Sequence, residues 1–213
     1  MRFPCRFGRR PVVLYTQAVL RLSIYLALAL GLTGCAGIQA FDYEREPDPR
    51  REEFVIGVGD VIRINVWRMA ELSVDAKVRP DGTVTMPLIG DMKAAGRTPT
   101  VLRAEIEVAL KTYVKDDSAK VTVAVSDVSS YQFTVAGYAE RQGSFTASRF
   151  LTVTEAIALA GGPSRFASPS KIVIIRPSAG GPRRIPVDLE AIYKGVRPEM
   201  NIVILSGDTI YLP

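Results

Sequence analysis

Residues 54–67 read Phe-Val-Ile-Gly-Val-Gly-Asp-Val-Ile-Arg-Ile-Asn-Val-Trp, and the interpretation of the fold starts from this stretch. Its second half alternates apolar and polar residues, which is the pattern of a strand with one buried face. That face is formed by Ile62, Ile64 and Val66. Gly59-Asp60 favours a tight turn before the strand. Trp67, the only tryptophan, falls on the opposite face, where a contact residue at the rim of a domain is favoured over a sugar-stacking platform.

The N-terminal segment has the features of a lipoprotein signal peptide. Arg9-Arg10 opens a basic region, and the apolar run that ends at Leu32 is too short to span a bilayer but fits a secretory segment. Leu32-Thr33-Gly34-Cys35 places small residues before a cysteine, as in the box that a lipoprotein signal peptidase cleaves. We therefore expect residues 1–34 to be removed and Cys35 to carry the lipid. An uncleaved anchor helix is the alternative.

Charge and cysteine usage exclude several classes of function. The chain has 27 basic and 22 acidic residues, but five arginines and no acid lie in residues 1–34, so residues 35–213 carry 22 of each. This neutral balance argues against nucleic-acid binding, which needs a basic surface. There is no histidine, and besides Cys35 the only cysteine is Cys5, in the signal segment. A disulfide framework and a Ser-His or Cys-His nucleophile pair are therefore excluded, and a zinc site would have to be built from carboxylates alone.

The rest of the chain predicts a tether and two folded segments of mixed α+β structure. Residues 35–53 are charged and interrupted by proline, so we expect a tether without a buried face. In residues 54–127, Pro80-Asp81-Gly82 predicts a turn between strands near 75–79 and 83–87, with irregular chain after it. Thr98-Pro99 is typical of a helix start, and residues 120–127 alternate as a strand.

Residues 128–213 predict the second folded segment. Its best-signalled element is a helix that begins with a capping box, Thr152 to Glu155, and is stopped by Gly161-Gly162-Pro163. A second, short helix is expected at 188–195. Strands are expected at 131–137, at 171–176 and 184–187 as a hairpin, and at 201–205 and 208–212. Gly59-Asp60 and Gly207-Asp208 each precede a strand, which indicates that one turn chemistry is used twice.

Together these motifs resemble the Wza-like outer-membrane polysaccharide export (OPX) lipoproteins. Residues 54–67 resemble the opening of the polysaccharide export domain, and 81–90 and 96–98 resemble its later hallmarks. Residues 134–162 resemble a soluble-ligand-binding β-grasp (SLBB) domain, and 207–213 resemble its last strand. The resemblance implies a small α/β export domain at 54–127 followed by one β-grasp-like domain at 128–213.

The resemblance also implies a function and partners. The protein would form a ring-shaped homo-oligomer, with eight subunits as the expected count. The ring would be lipid-anchored to the outer membrane, with its folded part in the periplasm. Capsular or extracellular polysaccharide would pass through the lumen, and an inner-membrane co-polymerase, often with tyrosine kinase activity, would be the partner below. Because no stretch after residue 34 is long and apolar enough to span, we expect a short member. Such a member either sits under a separate outer-membrane β-barrel or forms only the periplasmic ring.

No catalytic, metal or cofactor site is expected. Asp60, Asp81 and Asp208 each have a turn-forming reason beside glycine, which is favoured over a carboxylate pair for glycoside cleavage. For transport, the candidates to line the lumen are Asp81, Gly82 and Asp91. Two functions stay open: a ring that conducts the polymer, and a non-conducting periplasmic lipoprotein that holds a glycan or a partner.

Overall fold

The computed structural model describes residues 41–113 and 120–213. The predicted signal peptide and its lipidation site, Cys35, lie outside these residues. From Phe41 onward the chain forms one compact unit that contains two hydrophobic cores. One core is built by residues between Ile56 and Val121, and the other mainly by residues from Tyr131 to Leu212.

The described residues contain the following α-helices and β-strands, numbered in chain order. The strands are β1 (Val61–Val66), β2 (Val74–Lys77), β3 (Thr83–Met86), β4 (Gly90–Lys93), β5 (Val121–Asp127), β6 (Gln132–Gly137), β7 (Gly143–Thr146), β8 (Ile172–Arg176), β9 (Arg183–Val187) and β10 (Thr209–Leu212). The helices are α1 (Pro99–Leu110), α2 (Val153–Leu159) and α3 (Leu189–Tyr193). Single 3₁₀ turns lie at Tyr43–Arg45, Pro49–Arg51, Ala70–Leu72, Pro169–Lys171 and Pro198–Met200.

The first core lies between a three-stranded antiparallel sheet, the β3–β4 hairpin and helix α1. The sheet order is β2-β1-β5, and the predicted face of β1 is fully buried. Trp67 is 60% exposed, as its place on the other face predicts. Helix α1 begins as expected, because the Thr98 hydroxyl accepts a hydrogen bond from the Val101 N–H. The helix buries the face formed by Leu102, Ile106 and Leu110.

The second core is covered by a five-stranded sheet with the order β7-β6-β10-β8-β9. Strands β6 and β10 are parallel, with Val135 opposite Ile210, while the other three neighbouring pairs are antiparallel. The capping box of α2 is present, since the Glu155 carboxylate accepts the Thr152 N–H at 2.8 Å. Helix α3 is capped by Asp188, which accepts the Ala191 N–H at 2.9 Å. The mixed α+β fold class is thus confirmed.

Two predicted local structures are wrong. The chain after β3 is not irregular: a turn at Leu88, with φ +64°, returns it as β4, so β3 pairs with β4 and not with β2. Residues 201–205 are not a strand, although Ile202 and Ile204 are buried. Their backbone instead bonds across to the start of α2, through Val153 N–H to Ile202 and Ile204 N–H to Leu151. Apolar alternation detected the burial of both segments but not their partners.

The segment 41–54, which we call the strap, is also not the free tether that its composition predicts. Tyr43 is 6% exposed, and its hydroxyl donates to the Pro186 carbonyl at 2.6 Å. The Glu46 side chain is 3% exposed and pairs with Arg176 at 2.6 Å. At the other end, Glu53 accepts the Thr100 N–H in the first turn of α1. The prediction of a segment without buried contacts is therefore wrong for Tyr43 and Glu46, because specific partners in β8 and β9 compensate for burying polar groups.

Candidate functional site

The three residues predicted to line a lumen lie together at the β3–β4 hairpin. Arg79 forms ion pairs with Asp81 at 2.7 Å and with Asp91 at 3.0 Å, and it bridges the turn to the far strand. Thr85 donates to Asp91 at 2.6 Å, so the second carboxylate is also held from its own hairpin. The side chains of Asp81 and Asp91 are 53% and 51% exposed. The hairpin therefore presents a wet, fixed cluster of charges, which we call the Arg79 cluster.

Gly82 lies in the tight turn that leads into β3. Its φ is +79°, in the left-handed region, and its N–H closes the turn on the Arg79 carbonyl at 2.8 Å. A Cβ added here would lie 2.9 Å from the Ala95 Cβ and 2.7 Å from the Lys93 ammonium, which itself donates to the Asp81 carbonyl. Glycine is therefore required by both backbone conformation and space.

The electrostatics of the cluster keep both carboxylates ionised. Hydrogen bonds from Arg79 and Thr83 hold the pKa of Asp81 well below its usual range. Hydrogen bonds from Thr85 and Arg79 lower the pKa of Asp91 in the same way. The charge of Arg79 is therefore matched locally, and the surface is polar without a lone strong charge.

Asp60 is a hydrogen-bond hub between the two cores, and it is fully buried. One carboxylate oxygen accepts the N–H groups of Ser129 and Ser130, at 2.9 and 2.7 Å, in the segment that joins β5 to β6. The other accepts the Gly57 N–H and the Ser130 hydroxyl, each at 2.8 Å. A Cβ on Gly57 would come within 2.3 Å of Ser130, so this close approach needs glycine.

Asp208 repeats the same local geometry in the second core. Asp60 accepts the N–H three residues before it, and Asp208 does the same with Leu205 at 2.8 Å. The glycines before them, Gly59 and Gly207, both have φ near +90°. The prediction that one turn chemistry is used twice is confirmed.

Sequence reasoning missed the buried ion network around Asp208. Arg176, with 5% of its side chain exposed, donates to Asp208 at 2.7 and 3.0 Å and to the Val203 carbonyl at 2.9 Å. Its remaining side meets Glu46 of the strap, which also pairs with Arg183. The signal in the sequence was that Arg176 follows the apolar run 172–175 and shares the inward face of Ile172 and Ile174. All three carboxylates considered for catalysis thus have structural partners, and Asp60 and Asp208 are buried.

Residues 41–113 and 120–213 contain no group of three or more potential metal ligands. None of the helices described here combines the length and the apolar character that crossing a bilayer requires.

The comparisons with known proteins agree with this arrangement. The family model described as polysaccharide biosynthesis/export protein matches residues 48–126, which contain the first core and the Arg79 cluster. The SLBB domain model matches residues 132–187, which run from β6 to β9. The chain therefore carries a polysaccharide biosynthesis/export domain followed by an SLBB domain, which supports an export protein of the OPX type. The resemblance found in its motifs, with the export domain followed by one SLBB domain, is confirmed.

Two relatives are also named for exopolysaccharide production or capsule export. The exopolysaccharide production protein ExoF of Rhizobium meliloti (strain 1021) is 29% identical over 127 residues, covering 54% of this chain and 30% of ExoF. The capsule polysaccharide export protein BexD of Haemophilus influenzae is 26% identical over 176 residues, covering 74% of this chain and 43% of BexD. The chain thus spans less than half the length of either relative.

Proposed function

We propose that this export-family protein is a lipid-anchored component of an exopolysaccharide or capsule export system at the outer membrane. In this proposal the chain is attached through Cys35 and assembles with copies of itself into a ring through which the polymer passes. A co-polymerase in the inner membrane and a separate outer-membrane barrel would be its neighbours. The observation that carries the proposal is the order of the export and SLBB domains, supported by the names of two relatives.

The Arg79 cluster suits a surface past which a polymer slides. A conduit must contact its cargo without holding it, so its polar groups should bind weakly. Arg79 is already held by Asp81 and Asp91, and Lys93 by the Asp81 carbonyl, so a passing sugar meets groups that are solvated but internally paired. We place this hairpin on the lumen side of the ring. We place the boundary between the two domains between Asp127 and Val128, where β5 ends.

The first experiment tests export itself. Deletion of the gene should remove surface polysaccharide while polymer synthesis inside the cell continues. Native mass spectrometry of the full chain should show a ring of one defined stoichiometry. A strictly monomeric protein, even with its partners present, would favour the non-conducting scaffold, and unchanged surface polysaccharide would refute a role in export.

The second experiment tests the position of the hairpin. With Cys35 blocked by lipid in this proposal, a new cysteine is the only free thiol after the signal segment. Asp91→Cys labelled with a bulky maleimide should reduce export, whereas labelled Asp75→Cys should not, although the Asp75 side chain is equally exposed at 51%. Equal export from both labelled proteins would show that the hairpin does not face the path.

The third experiment tests the anchor. Cys35→Ser should leave the described residues folded and release them from the outer membrane. A variant that still fractionates fully with that membrane in the absence of partners would contradict a single lipid anchor.

A further inference from the structure

A cleft of about 620 Å³ lies where the strap meets the second core. It is separate from the Arg79 cluster and open to solvent on one side. Phe54 and Arg50 of the strap form one wall, and residues between β7 and α2, including Phe150, form the other. Its volume falls in the range of small-molecule sites and exceeds the space that one sugar ring needs.

The cleft is lined by three aromatic rings. The Phe150 ring lies 5.2 Å from Tyr131, edge to face, and 6.3 Å from Phe54. Tyr131 is fixed from beneath, since its hydroxyl donates to the Ile204 carbonyl and accepts the Leu151 N–H. The two phenylalanines are only partly buried, so part of each ring is open to the cleft. An aromatic ring that is partly open can pack against the flat, apolar face of a pyranose, where the C–H groups lie.

The mouth of the cleft carries two arginines and one glutamate. Arg149 pairs with Glu155 at 2.9 Å, and Arg50 pairs with Asp48 through two hydrogen bonds of 2.8 and 2.9 Å. Both side chains stay exposed, Arg149 at 65% and Arg50 at 51%. A guanidinium has five N–H donors, and Arg50 uses two of them on Asp48. Donors therefore remain at the mouth for an added carboxylate.

Neutral polar groups also line the cleft. Asn201 accepts the Thr154 N–H with its carbonyl oxygen, which fixes the amide and leaves its NH₂ group as a donor. Hydroxyl groups of Thr154 and Ser148 also line the cleft. Aromatic rings, neutral donors and two arginines with N–H donors to spare together match a sugar that carries a negative group.

We propose that this cleft binds one or two sugar units of an acidic glycan, with the ring on Phe150 and Phe54 and the carboxylate at Arg149 and Arg50. That the ligand is a glycan rests on the proposed export function; the preference for an acidic unit rests on the residues of the cleft. Because the strap forms one wall, the site exists only while Tyr43 and Glu46 keep the strap docked.

The test is calorimetric titration of the full chain in detergent with two probes, tetragalacturonate and maltotetraose. We expect saturable binding of the acidic probe with a Kd of about 1 mM or tighter. The neutral probe should bind about tenfold more weakly, because it lacks the charge-assisted hydrogen bonds to arginine. Phe150→Ala and Arg149→Gln should each weaken binding of the acidic probe by about tenfold or more.

Matched controls lie elsewhere on the surface. Phe166→Ala removes a 65% exposed ring, and Arg165→Gln removes the guanidinium 4.6 Å above it; both should bind like the wild type. Glu155→Gln keeps a residue that can complete the capping box but removes the negative charge at the mouth, so it should bind the acidic probe more tightly. A purely structural role for these residues would not produce this gain.

Equal affinity for the two probes would overturn the acidic preference. No saturable binding, or binding that neither Phe150→Ala nor Arg149→Gln weakens while both unfold at the wild-type temperature, would overturn the site. The deletion strain separates these results from the proposed function. If deletion blocks export and the probe does not bind, only the cleft proposal fails; if surface polysaccharide is unchanged, the export proposal fails.

Discussion

Replacing Asp60 is the most direct test of how the two cores are joined. Asp60→Ala removes an acceptor that serves three backbone N–H groups and one hydroxyl, all at 2.7–2.9 Å. A buried donor left without a partner costs about 1–3 kcal/mol. Water entering the space of the lost carboxylate would compensate part of this cost. We expect the free energy of unfolding to fall by about 3–5 kcal/mol, a large share of the about 5–15 kcal/mol typical of a folded protein.

Asp60→Asn separates shape from charge at the same position. The amide keeps one oxygen for Ser129 and Ser130, but its NH₂ group would face the Gly57 N–H, donor against donor. The expected loss is about 2 kcal/mol, smaller than for alanine. Asp75→Ala is the matched control, because Asp75 pairs with Arg63 on the surface, where solvent screening leaves such a pair little effect on stability.

The assay is urea denaturation of the full chain followed by far-ultraviolet circular dichroism. The three variants should lose stability in the order Asp60→Ala, Asp60→Asn, Asp75→Ala. An Asp60→Ala protein as stable as Asp75→Ala would refute the reasoning, since it would show that the four hydrogen bonds contribute nothing beyond a surface ion pair.

Three further predictions concern the other hubs. Arg176→Met leaves Asp208 buried without its cation and Glu46 with Arg183 alone, and urea denaturation should show a loss of about 3–5 kcal/mol, whereas a loss under about 1 kcal/mol would contradict the network. Gly82→Ala should cost about 1–2 kcal/mol in the same assay, because alanine is strained at φ +79°; an unchanged midpoint would contradict this. Because the folded pKa of Asp81 is lowered, its contribution to stability is complete above the unfolded pKa of about 3.9 and is lost as the pH falls toward the folded value. In Arg79→Gln, an NMR titration should show that the pKa of Asp81 rises toward its ordinary value, and an unshifted pKa would refute the pairing.

Local signals in the sequence predicted the elements better than their partners. The caps of α1 and α2 and the turn at Gly82 depend on neighbours within a few residues, so their chemistry is visible in the chain itself. The hairpin partner of β3 was missed because Leu88 adopts a positive φ that its residue type does not announce. Residues 201–205 alternate like a strand, yet they bond to the start of α2 and not to a sheet.

In the candidate site, too, local features were predicted and tertiary partners were missed. Asp81, Gly82 and Asp91 were selected as turn residues, and the structure brings them together, but the cation that joins them, Arg79, was not selected. The partners of Asp60 lie 69 and 70 residues away, and those of Glu46 lie 130 and 137 residues away. Such contacts depend on tertiary placement, and composition alone made the strap look like a tether.

The strap changes how the two domains should be regarded. Three sets of contacts hold the strap and the segment after β5 in place: Asp60 with the Ser129–Ser130 segment, Glu46 with Arg176 in β8, and Glu53 with the first turn of α1. A strap bound at one end would hold only one domain. This strap is bound to β8 through Glu46 and to α1 through Glu53. Asp60 and Glu46 are buried carboxylates at two separate points, and opening the body at either point would break their hydrogen bonds, so neither point is a low-cost hinge. The described body should therefore unfold as one unit, and a site shared between strap and second core, such as the aromatic cleft, is held with the rigidity of the whole.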